Sequence, residues 1–93
     1  ALSNNLFYEF NSFNILKCDN IHLKYLALSG INLTNFEFEN FMDFRCFIYL
    51  YDLQLKNNSL TIIKHFYFQY AIDLHYLDLS HNKIQFIEPK SLT

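Results

Sequence analysis

Leucine and isoleucine recur along this chain in one rhythm. It is clearest between Leu74 and Ile87, where the sequence reads LHYLDLSHNKIQFI. Leu74, Leu77, Leu79 and Ile84 keep fixed offsets, with Asn82 in the polar position of the pattern LxxLxLxxNxL, and Ile87 follows. Alternation around Leu77 and Leu79 predicts a short strand with one face inward. Beyond it the chain must turn, and main-chain N–H and C=O groups there lose a ladder partner. A short carboxamide such as that of Asn82 can satisfy them. Ile84 and Ile87 then return the chain along the core. One such loop cannot bury its own apolar side, so the pattern calls for neighbours above and below.

Earlier copies of the unit supply those neighbours. Counting from the first leucine of the unit, repeat position six is filled by Leu2, Leu28, Leu55 and Leu79, at spacings of 26, 27 and 24 residues. The first copy reads LSNNLF and continues to Phe7 and Phe10. The second is LKYLALSGINL, Leu23 to Leu33, followed by Phe36. The third is LYDLQLKNNSL, Leu50 to Leu60, followed by Ile63. Repeat position nineteen is apolar throughout, as Ile15, Phe41, Phe68 and Leu92. Asn5, Asn58 and Asn82 form the expected asparagine ladder. The second copy breaks it, with Ile31 in the asparagine position and Asn32 one place later. The stretch NFEFENFMDF, Asn35 to Phe44, holds helical spacing only in part and predicts at most a turn or two of helix. The chain thus divides into a partial repeat, 1–22, two repeats, 23–49 and 50–73, and an incomplete one, 74–93. Neither end carries a polar cap, which leads us to expect an excerpt of a longer array.

These motifs resemble leucine-rich repeats, and the repeat lengths are similar to those of the extracellular class found in Toll-like receptors. The resemblance implies an α/β solenoid: a right-handed superhelix with a parallel β-sheet on its concave face and mostly loops and short turns on its convex face. It also implies function by protein recognition, in a receptor ectodomain or a secreted protein, with flanking repeats of the parent chain. The alternatives are an intracellular scaffold or adaptor, in the cytoplasm, or a non-catalytic repeat region attached to an enzyme.

Composition narrows the field. A chain of 93 residues that is 52% hydrophobic can build a core, which argues against disorder. A net charge of −2 and the lack of a basic stripe give nucleic-acid binding no support. No apolar run approaches the ~20 residues needed to cross a bilayer. The opening ALSNNLFYEF lacks the basic-then-apolar order of a signal peptide.

On the expected concave face, strand positions pointing outward supply Lys24, Tyr25, Tyr51, Asp52, Gln54, His75, Tyr76 and Asp78. Tyrosine among small polar and charged groups suits protein recognition, since it offers large area and few rotors. A merely solvated sheet face is the competing reading. Cys18 and Cys46 fall near one strip of adjacent copies and are a candidate disulfide, against two separate buried thiols. Asn32-Leu33-Thr34 and Asn57-Asn58-Ser59 are N-glycosylation triplets. His75, Asp78 and His81 lie along one strand and its exit, too extended to converge on a metal. His22 and His65 have no partner in any motif. No catalytic constellation stands out, so neither an enzyme nor a cofactor is expected.

Overall fold

Leu26, Leu53 and Leu77 stand opposite one another on neighbouring parallel strands. The computed structural model describes residues 5–6 and 22–92. Its elements are β1 (Asn5–Leu6), β2 (Tyr25–Ala27), α1 (Asn35–Phe41), a 3₁₀ turn (Phe44–Phe47), β3 (Asp52–Gln54), β4 (Ile62–Ile63), β5 (Tyr76–Asp78) and β6 (Phe86–Ile87). One parallel sheet has the order β1-β2-β3-β5, and a second pairs β4 with β6. In the second sheet Ile63 faces Ile87, so the return path of the third copy also stacks on that of the fourth.

The sheets form because each copy places equivalent apolar side chains inward. Leu26, Leu28 and Leu33 of one copy, and Leu53, Leu55, Leu60 and Ile63 of the next, are at most 1% exposed. They belong to one core with Phe38, Phe47 and Tyr67. Full burial of each such leucine contributes about 1.5–3 kcal/mol. A one-residue slip would turn the whole set to the other face, so the register is strongly specified. The last copy is less covered, and Leu77, Leu79 and Ile84 are half-buried against that core.

Two expectations are corrected here. The first is the frame of the first copy. Asn5 was expected in the asparagine position of the turn, but it lies in β1 opposite Tyr25, with Leu6 opposite Leu26. Leu6 therefore holds repeat position four. Strand pairing with Tyr25 and Leu26 shifts the frame of this copy by six residues. The rest of the first copy lies outside the described residues.

The second correction is Phe36, expected in the core in phase with Ile63 but 69% exposed. Here the chain enters α1 through a capping box. The Thr34 hydroxyl accepts from the Glu37 N–H, and the Glu37 carboxylate accepts from the Thr34 N–H. Successive helical side chains are then rotated by about 100°. Phe38 instead of Phe36 points into the core, with 0% exposure. The helix runs for 7 residues.

Candidate recognition surface

The turn after each strand is held by asparagine. Asn58 Nδ2 donates to Leu28 O at 2.9 Å and to Leu55 O at 3.0 Å. Its Oδ1 accepts from the N–H groups of Leu33 and Ile31. Asn82 repeats the arrangement one copy on: its Nδ2 donates to Leu55 O and Leu79 O, and its Oδ1 accepts from the Leu60 N–H. Each carboxamide thus ties its own turn to the preceding one. Asn32 takes no part in this; it is exposed and accepts from the Ser59 hydroxyl.

The strands so fixed carry ordered columns of outward residues. Tyr25, Asp52 and Tyr76 are register partners, as are Ala27, Gln54 and Asp78. Lys24, Tyr51 and His75 precede them and are linked by main-chain bonds from Tyr51 N to Lys24 O and from His75 N to Tyr51 O, both 2.9 Å. Tyr25 and Tyr76 are 45% and 57% exposed. The Tyr51 ring stacks on His75 at 4.4 Å and meets Tyr76 edge-on at 5.4 Å. Desolvation raises the Tyr51 phenol above its usual pKa, and Tyr76 and Tyr25 add to the effect. Gln54 donates to the Asp52 carboxylate at 2.7 Å. The Ser80 hydroxyl and N–H both donate to Asp78, which holds that carboxyl below its ordinary value.

Lys24, Tyr51, His75 and Tyr76 are exposed, and Asp52, Gln54 and Asp78 are half-buried. The result is an aromatic cluster at the strand entries bordered by amide and carboxylate groups. Its rings are pre-ordered against each other, so a partner that covers them finds few rotors left to freeze.

Sequence reasoning missed two features. His22, which has no partner in any motif, packs on Tyr49 at 4.3 Å, a second pair of rings two positions before Lys24 and Tyr51 in the chain. The signal available was an aromatic residue two places before the strand column in consecutive copies. The other is a polar network behind the sheet. Asn35 donates to Tyr67 Oη at 2.6 Å, Tyr67 donates to Glu39 at 2.7 Å, and Lys64 pairs with Glu39 at 2.9 Å. Burial, then the bond to Glu39, pushes the Tyr67 phenol far above its usual range. Every group in the network has a partner, and its effect is to fasten α1 to the following copy.

Cys46 is buried and disulfide-bonded. Cys18 lies outside the described residues. No group of three or more His, Cys, Asp or Glu among the described residues could hold a metal ion. No helix among them is long and apolar enough to cross a membrane.

The family model described as leucine rich repeat matches residues 48–93, the stretch that carries β3 to β6. No curated protein matches the chain. No solved structure matches it either.

Proposed function

Starting from the leucine-rich repeat family that residues 48–93 support, a repeat class that in general mediates protein–protein interaction, we propose that this chain is a protein-recognition segment of an extracellular leucine-rich-repeat protein. The repeats stack into a right-handed solenoid whose concave face is the four-stranded sheet. Inward leucines and the asparagine ladder hold the shape. Outward side chains select the partner, and the segment is non-catalytic. The observation that carries this reading is the exposed cluster of Tyr25, Tyr51 and Tyr76, with His75 packed on Tyr51. Large exposed aromatic groups on a rigid sheet are the residue types that dominate binding energy at interfaces.

The extracellular part of the proposal is supported by the Cys46 disulfide, since such bonds persist in oxidising compartments. Cys18, the chain's other cysteine, is the proposed partner.

A photo-reactive residue placed in turn at Tyr25, Tyr76 and Phe36 of the parent protein tests the surface. The same cross-linked partner is expected from Tyr25 and Tyr76, lost on Tyr51→Ala and absent from Phe36 on α1. Equal capture at Phe36 would remove the sheet face from consideration. Thiol labelling of the native parent tests the compartment: Cys46 is expected to resist alkylation until a reductant is added. A freely alkylated Cys46 favours the intracellular scaffold.

A further inference from the structure

The strand exits differ chemically from the strand entries. Repeat position eight holds Gly30, Asn57 and His81, and all three have left-handed backbones, with φ of 73°, 61° and 55°. Asn32, two positions after Gly30, has φ 56°. A shallow open depression there is lined by Gly30, Asn32, Asn57, Ser59, His81 and Lys83 among others. Both triplets of the form Asn-x-Ser/Thr start inside it.

Among the described residues 22–92, the other asparagine side chains are committed. Nδ2 of Asn35, Asn40, Asn58 and Asn82 each donates to a main-chain carbonyl. Asn32 and Asn57 are exposed, and no hydrogen bond from either Nδ2 occurs among the described residues. Among the asparagines of the described residues 22–92, the two with an uncommitted amide nitrogen are thus the ones that head the triplets. Asn58, which sits inside the second triplet, is buried and fully used by the ladder.

We propose that Asn32 and Asn57 both carry N-linked glycans, which screen the strand-exit edge of the sheet and leave the tyrosine-rich entry edge as the open approach for a partner. Attachment joins Nδ2 to the anomeric carbon of an oligosaccharide carried on a lipid pyrophosphate. The sugar–phosphate C–O bond breaks, the lipid pyrophosphate leaves with the bonding pair, and Nδ2 gives up one proton to the transferase. Tyr51 precedes Asn57 by six positions, which separates the entry ring from the exit edge by up to about 20 Å. The Asn32 carbonyl oxygen keeps its bond to Ser59 after Nδ2 is substituted, so modification costs the fold no contact seen here.

The proposal rests on the extracellular reading, and the experiment separates the two. The full chain is expressed in eukaryotic cells behind a supplied export signal, so occupancy is read whatever compartment the parent uses. Intact mass is measured before and after an N-glycan-removing amidase. Two glycan increments are expected, one lost in Asn32→Gln and the other in Asn57→Gln. Ser59→Ala, which leaves the second asparagine in place, must also remove the second increment. Exported, disulfide-bonded chain at its unmodified mass overturns the proposal. A single increment overturns it for the position left bare.

Discussion

The side chain of Asn58 donates to the carbonyl oxygen of Leu28 at 2.9 Å, across 30 residues of sequence. That bond, with the two that Asn58 accepts from Leu33 and Ile31, joins consecutive copies at the point where each strand ends. Asn58→Ala leaves the Leu33 N–H and the Leu28 C=O buried without this partner, at a cost of about 2–4 kcal/mol. Asn82→Ala should cost less, since Asn82 is only half-buried. Urea midpoints of the two variants give the comparison. Equal, small shifts would mean that the ladder carries little of the stability.

Gly30 tests the left-handed exit. A Cβ built there meets nothing within 4 Å, so packing is not at issue and only φ +73° matters. Gly30→Ala is expected to lower stability by about 1–2 kcal/mol. Gly30→Asn should cost less, because asparagine tolerates this region, as Asn57 does one copy on. Thermal melts decide it, and an alanine variant as stable as the parent would contradict the backbone argument.

Titration of Tyr67 gives a pH prediction. Burial and the bond to Glu39 raise its folded pKa above the unfolded value near 10. The unfolded chain therefore releases the phenolic proton first. The stabilisation from keeping Tyr67 neutral is complete below about pH 10 and is lost as pH rises above it. Tyr67→Phe should reduce the slope of stability against pH in that range, while costing about 1–3 kcal/mol at neutral pH from the lost hydrogen bonds to Asn35 and Glu39. Denaturant melts from pH 8 upward measure both, and an unchanged alkaline slope would assign it to other tyrosines.

Inward and outward leucine-strand positions should respond oppositely to substitution. Leu53→Asp buries an unpaired charge at a site with 0% exposure and should unfold its copy and the neighbours. Tyr76→Ala, at a position 57% exposed, should leave the melting temperature within a few degrees of the parent. A Leu53→Asp variant that melts like the parent would show that its strand does not face the core.

The period of the leucines is enough to place Leu26, Leu53 and Leu77 side by side, because inward alternation leaves one choice of register. The same logic picked out Asn58 and Asn82, whose position in the pattern is polar for a reason that local chemistry supplies. Phe36 escaped it, since a capping box at Thr34 and Glu37 rotates the following aromatics by a helical and not a strand rule. In the expected frame of the first copy only the end of the unit is present, so the pattern alone allows Asn5 in the asparagine position; strand pairing of Asn5 with Tyr25 shifts that frame by six residues. The ring contacts of His22 with Tyr49 and of Tyr51 with His75 depend on which side chains adjoin across copies, and become readable only once the register is known.

Register is also what engineered disulfides measure most directly. Gln54 and Asp78 are partners across β3 and β5, whereas Gln54 and Tyr76 are two positions out of step. Parallel neighbours lie about 4.8 Å apart, inside the range a disulfide can bridge, and the offset pair falls at about 8 Å, outside it. Under mild oxidation and non-reducing peptide mass analysis, Gln54→Cys with Asp78→Cys should cross-link almost completely, and Gln54→Cys with Tyr76→Cys should not. Preferential bridging of the offset pair, or of neither, would contradict the stacked parallel copies on which the recognition surface is built.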